Sequence, residues 1–217
     1  STGVGSTVAS VGVLIALGVL LATQWNNLFG SDDSDNGASS PATTTVVFMG
    51  QRSFPDLARG LQEHGLSPDD AMAVWAAVSG EEGMIDIPEP DYQKPASFGS
   101  FELKERLGNE NIGQPINYRR PRSRVRAMTI DASGLDRVDL IKLDIEGMEL
   151  EALSGAAKTI EAQSPVLFIE SIKIDKEQLS RVLQDLGYKI YAHGMSVLCV
   201  HADDPIVTHV RLEKNTA

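Results

Sequence analysis

The sequence predicts an α/β domain built on a mainly parallel sheet and preceded by a single transmembrane helix. Three observations carry this expectation. Short branched-aliphatic runs alternate with segments of helical periodicity over roughly the last three quarters of the chain. The stretch VDLIKLDIEGMELEALSGA, from Val138 to Ala156, reads as a buried strand, a tight acidic turn and an amphipathic helix. Residues 1–31 carry no charged side chain, and Val8 to Trp25 is an apolar stretch near the roughly 17–25 residues that cross a bilayer.

These features divide the chain into an anchor helix over 1–30, a polar acidic linker over 31–43 and an α/β domain over 44–217. Trp25 closes the anchor in the interfacial position that residue favours. The linker, Ser31 to Pro41 and the residues just after it, has no capacity to build a core. Gly5, Ala9, Gly12 and Ala16 fall on one helical face, where small residues let another transmembrane subunit approach closely. Gly and Ala are also simply common in membrane helices. Orientation is not fixed, because the nearest basic residue is Arg52. The segment lacks the basic start of a signal peptide; a buried helix of the domain remains the competing assignment. The chain begins at Ser1, as it would after loss of an initiator methionine or cleavage of a precursor.

Within the domain, Thr44 to Met49 reads as a strand and Phe54 to His64 as a helix ended by Gly65. Ala71 to Ser79 is a mixed apolar run, followed by Gly80-Glu-Glu-Gly83 and a short strand, Met84 to Ile87. From Pro88 to Pro121 the chain is rich in Pro, Gly, Asn and charge, and reads as an irregular surface excursion. Arg124 to Asp131 returns as a strand. Then come the strand Asp139 to Leu143, the helix Glu149 to Gln163 and the strand Val166 to Ser171. A helix from Lys176 to Leu186, ended by Gly187, leads to paired closing strands, Lys189 to Ala192 and Val197 to Val200.

Composition bounds the function. A chain of 217 residues holds one core of ordinary size plus an appendage. A formal charge of -11 argues against nucleic acid as a partner, since phosphates are repelled. Arg119, Arg120, Arg122, Arg124 and Arg126 form a basic strip that could meet anionic lipid or an acidic partner. Alternation from Arg122 equally fits an exposed sheet edge blunted by charge. The single cysteine, Cys199, excludes an intrachain disulfide and reads as a core residue.

The acidic-turn segment, the following Pro165-Val-Leu-Phe-Ile-Glu170 and the upstream Thr129-Ile-Asp131 resemble the FkbM-type methyltransferases, which use S-adenosylmethionine and usually methylate a hydroxyl. The resemblance runs from about Val46 to about Val200 and implies a Rossmann-like, class I methyltransferase-like sheet. It also implies that Asp144 and Glu146 orient or deprotonate the acceptor hydroxyl, alone or through a divalent ion, with Glu170 in support. No resident metal is expected, and the same carboxylates could simply stabilise the turn and the next helix.

The front of the domain departs from the family pattern. Where the family usually has Phe-Glu-Pro, this chain has Phe48-Met49-Gly50, and methionine cannot accept the ribose hydrogen bonds of the cofactor with comparable strength. No glycine-rich turn precedes Val46 apart from Gly3-Val-Gly5, which would make 1–30 a distorted first strand and helix of the fold. The cofactor-binding front is therefore degenerate or missing, and no cofactor-binding residue is assigned. The expected function is a membrane-anchored, catalytically inactive methyltransferase-like protein, a structural or accessory subunit of a membrane complex that binds no cofactor. The alternative is an active O-methyltransferase tethered to a membrane, with Glu81 or Glu82 replacing the missing ribose ligand. The expected location is a membrane crossed once, in an organelle's energy-converting membrane or a bacterial envelope.

Overall fold

A computed structural model describes residues 18–22, 45–48, 71–74, 76–91, 93–119 and 123–210. Among them run the strands β1 (Gly18–Ala22), β2 (Thr45–Phe48), β3 (Ala71–Val74), β4 (Ala77–Val78), β5 (Gly83–Ile87), β6 (Ser123–Met128), β7 (Leu140–Asp144), β8 (Val166–Glu170), β9 (Tyr188–His193) and β10 (Ser196–His201). The helices are α1 (Glu149–Ser154), α2 (Ala157–Gln163) and α3 (Lys176–Asp185).

The main sheet has the order β3-β2-β1-β7-β8-β10-β9. β1 sits between β2 and β7, with β8, β10 and β9 following on the far side of β7. The expectation of a mainly parallel sheet is corrected here: the sheet is mixed. The pairs β2/β3 and β7/β8 are parallel, while β1 runs against β2 and β7, and β10 runs against β8 and β9. A branched apolar run reports burial, but nothing in it states strand direction.

The transmembrane helix expected over 1–30 is also corrected where the structure describes it. Gly18–Ala22 is extended and pairs with both β2 and β7, for example Leu20 with Val47 and with Lys142. A central strand and a membrane helix share one hydropathy signature, so Val19-Leu20-Leu21 suited either. No helix among the described residues is long and apolar enough to cross a membrane. The Gly5/Ala9/Gly12/Ala16 face, the 31–43 linker and the helix expected over 54–64 lie outside the described residues.

β7 and β8 build the core as their sequences require. Ile141, Leu143, Leu167 and Ile169 are wholly buried on one face, under Leu153, Ile160, Leu179 and Leu183 from the helices and Ala156 between α1 and α2. Leu140 and Val166 face the other way, with Val200, under Ile206, Val207 and Val210. Asp175 starts α3 by accepting from the Glu177 and Gln178 amides. Gly187, with φ of 83°, ends it as expected. Cys199 is buried and its thiol is pushed up to about 12 by that burial, as a core residue requires.

Two other elements differ from the sequence reading. The run 71–79 splits between two sheets, β3 joining the main one and β4 a small sheet of order β4-β6-β5. The helix expected over 149–163 is broken at Gly155. A Cβ there would lie 2.2 Å from the Ser79 carbonyl oxygen, so that carbonyl sits where a side chain would be. The Asp131 carboxylate then accepts from Lys158 N (3.1 Å), Thr159 N (2.9 Å) and Thr159 Oγ1 (2.8 Å), opening α2 afresh. Asp131 thus serves the fold, in a 3₁₀ turn rather than on the expected strand.

Gly155→Ala tests this packing. At the end of α1, with helical backbone angles, alanine gains at most the roughly 1 kcal/mol it has over glycine in a helix interior. Forcing a methyl into a filled site costs about 1–3 kcal/mol, and a backbone carbonyl yields less readily than a side chain. Net destabilisation of about 1–2 kcal/mol is expected, read as a lower urea midpoint. A raised midpoint would mean that propensity wins and the contact is slack.

Candidate active site

The parallel register of β7 and β8 (Leu143 beside Ile169) brings their carboxyl ends, Asp144 and Glu170, to the same edge of the sheet. Ligands of open α/β sheets bind outside the carboxyl ends of strands, and both β7 and β8 end here. After Asp144 the chain reverses through two left-handed residues, Glu146 (φ 53°) and Gly147 (φ 93°). For glutamate this backbone costs about 1–2 kcal/mol, so something must hold it. Glu149 does so: its Oε1 accepts from Ile145 N (3.1 Å) and Gly147 N (3.2 Å). Glu149 is therefore a turn-closing residue, one of the two roles the sequence left open for the acidic groups here.

The turn directs Glu146 inward, leaving it 8% exposed. Carboxylate oxygens of Asp144, Glu146 and Glu170 come within 4.8 Å of one another, so the structure gathers all three candidate residues into one cluster. Three hard oxygen donors at this spacing are of the type that takes a divalent cation. The protein supplies cations of its own. Lys142 Nζ lies 2.8 Å from Asp144 Oδ2, and Lys173 Nζ lies 2.7 Å from Glu146 Oε2.

Glu170 stands apart electrostatically. Burial, then the charges of Asp144, Glu146 and Glu149, push its carboxyl up to about 7, with Lys173 opposing. Burial also raises Glu146, against the hydrogen bond and charge of Lys173. Burial would depress the Lys173 ammonium, but its bonds to Glu146 and Glu110 outweigh that, and the net shift is upward. The cluster therefore holds carboxylates with different proton affinities, the arrangement that lets one act as a base near neutral pH.

A further set of residues was not found from sequence. Segment 98–110, part of what read as a surface excursion, lies against the acidic turn. Lys173 Nζ contacts Glu110 Oε2 at 2.9 Å and Glu102 Oε1 at 3.7 Å, and donates to the Ser100 carbonyl at 2.7 Å. Glu151, on α1, pairs with Lys104 at 3.0 Å and Arg106 at 3.1 Å. The charge run from Glu102 to Glu110 was the available signal, but charge in a loop normally marks solvent contact.

Other polar and charged groups of the domain serve elsewhere. His193 packs edge-on to Phe168, and His201 edge-on to Tyr188, whose hydroxyl donates to the Pro165 carbonyl at 2.8 Å. Arg124 and Arg126 are exposed on β6, which is the middle strand of its sheet, so they do not blunt an edge. Arg124 Nε pairs with Asp86 at 2.9 Å. Arg119 is exposed, and residues 120–122 lie outside the described residues. Glu81 is exposed, and Glu82 borders an open depression with Asp131, Lys158 and Thr159. Met49 lies outside the described residues.

The family model of the methyltransferase FkbM domain matches residues 61–190. Among solved structures, the chain is similar to the methyltransferase FkbM of Methylobacillus flagellatus KT, at 16% identity and a TM-score of 0.48. The match covers 71% of this chain and 35% of that one, so the chain spans about a third of its length. The comparison with curated proteins gave no match.

Proposed function

Because this chain belongs to the methyltransferase FkbM family, we propose that its acidic turn is the acceptor site of an O-methyltransferase, with Glu170 as the general base. The family typically uses S-adenosylmethionine; when bound, that cofactor supplies an electrophilic methyl group. The residues described fit the acceptor side of such a reaction: carboxylates gathered at the carboxyl ends of the parallel pair β7 and β8. Glu170 takes the proton of an acceptor hydroxyl as the oxygen gains its methyl. Asp144 and Glu146, held by Lys142 and Lys173, accept hydrogen bonds from neighbouring polar groups of the acceptor and orient it.

One observation carries this reading. Among the described residues no hydrogen bond engages the Glu170 carboxylate, whose affinity for a proton is set by burial and by neighbouring negative charge. The turn-closing Glu149 is held by two backbone amides; among the described residues the half-buried Glu170 has no such partner.

A second reading, a cofactor-free accessory subunit, has its own support. β1 runs against its neighbours, so its carboxyl end lies at the far edge of the sheet from Asp144. A glycine turn following it would then open away from the acidic cluster. Calorimetric titration of S-adenosylmethionine into the full chain separates the two. Stoichiometric heat, with turnover of a hydroxylated acceptor, is expected of the enzyme. A folded chain with no heat would favour the accessory role.

A further inference from the structure

We propose that Lys173 is the positioning residue of this site, clamping Glu146 with one donor and segment 98–110 with the others, so that the segment is a docked lid on the acidic turn. The inference rests on the acceptor-site reading and adds to it the part that shapes the acceptor's entrance.

An ammonium group has three hydrogens to donate. Lys173 Nζ has three near partners from three places in the chain: Glu146 Oε2 at 2.7 Å, Glu110 Oε2 at 2.9 Å and the Ser100 carbonyl at 2.7 Å. Its donors are thereby filled, and its side chain is only 12% exposed. Lys173 therefore has no donor left for an acceptor molecule and acts through Glu146. That contact matters because Glu146 sits on left-handed backbone, where its carboxylate needs an anchor to keep one direction.

The same ammonium holds the lid. Ser97 N donates to the Ile112 carbonyl at 2.7 Å, tying the ends of the intervening segment together as in a compact Ω-type loop. Both flanks, Ser100 and Glu110, are fixed to Lys173, and the middle, Lys104 and Arg106, to Glu151 on α1. Arg106 also lies directly on the turn. A Cβ at Gly147 would stand 2.7 Å from its Nη1, so the missing side chain is what lets the guanidinium approach. Leu107, at the outer tip, is fully exposed and bears on nothing. The lid is thus fastened by its ion pairs and by the buried Phe101, while its tip makes no apolar contact that would hold it shut.

The test is amide hydrogen exchange on the full chain, paired with steady-state kinetics. Lys173→Met is expected to speed exchange across 98–110 by tenfold or more while α3 and β10 keep their protection. Glu110→Gln, which leaves Glu146 paired, is expected to give a smaller rise in the same segment. If Lys173→Met unfolds the chain, Glu110→Gln decides alone. Unchanged exchange at 98–110 in the folded variant overturns the lid. In turnover, Lys173→Met should lower kcat about tenfold with the KM for S-adenosylmethionine unmoved, and Lys173→Arg should recover part of the loss. An unchanged kcat overturns the positioning role. A wild type that binds no S-adenosylmethionine and transfers no methyl group removes the acceptor-site reading and the positioning role with it, while the exchange experiment still decides the lid.

Discussion

Glu170→Gln is expected to slow methyl transfer by about 100-fold or more, the usual worth of a general base, and to make the protein more stable at pH 8. The two effects share one cause. Burial and the neighbouring carboxylates hold the Glu170 proton on up to about 7, against an ordinary 4.5. Between those values the unfolded chain releases a proton that the folded chain keeps, so folding stability falls as pH rises through that window. Above about 7 the full penalty is present, because a charge now sits among like charges. Glutamine carries no such charge and removes the penalty along with the base. The wild-type rate should therefore climb with pH about a midpoint near 7, and that limb should vanish in the variant. Thermal midpoints at pH 5 and pH 8 supply the second measurement, the wild type losing more between them than the variant. Undiminished turnover by Glu170→Gln would end its role as base, whatever the stability shows.

The cluster was legible in sequence because its determinants are local. Asp144 and Glu146 sit where a branched apolar run stops, and Glu170 ends the next such run, so parallel pairing of the two strands was enough to unite them. The same logic located α3 between Asp175 and Gly187, and the closing hairpin after it. What escaped depends on distant partners. Nothing around Gly155 announces that Ser79 will press against it, so one helix was expected where two form. Nothing in Val19-Leu20-Leu21 distinguishes a strand flanked by β2 and β7 from a turn of membrane helix. The docking of 98–110 needs Lys173, more than sixty residues away, to convert loop charges into anchors.

Glu149 separates what a carboxylate does by shape from what it does by charge. It is 1% exposed, its Oε1 closes the turn through two backbone amides, and its Oε2 has no partner among the described residues. Glu149→Ala strands the Ile145 and Gly147 amides in a buried turn, at about 1–3 kcal/mol each. Removing a buried carboxylate returns part of that, because burial already raises its pKa. A net loss of about 2–4 kcal/mol is expected, with Glu146 released from its inward course. Glu149→Gln keeps one oxygen to accept from both amides; the relief of a buried charge then opposes the cost of an unpartnered NH2 where Oε2 lies, so its stability should lie within about 1 kcal/mol of wild type. Urea denaturation at pH 7 measures the contrast, and equal losses in the two variants would show that the charge, not the turn, is what the fold needs. The glutamine variant carries a second consequence. Glu149 is one of the charges that raise Glu170, so its neutralisation should move the acid limb of turnover to lower pH while leaving the plateau rate in place. Glu149 is thus the strut that aims one carboxylate and tunes another.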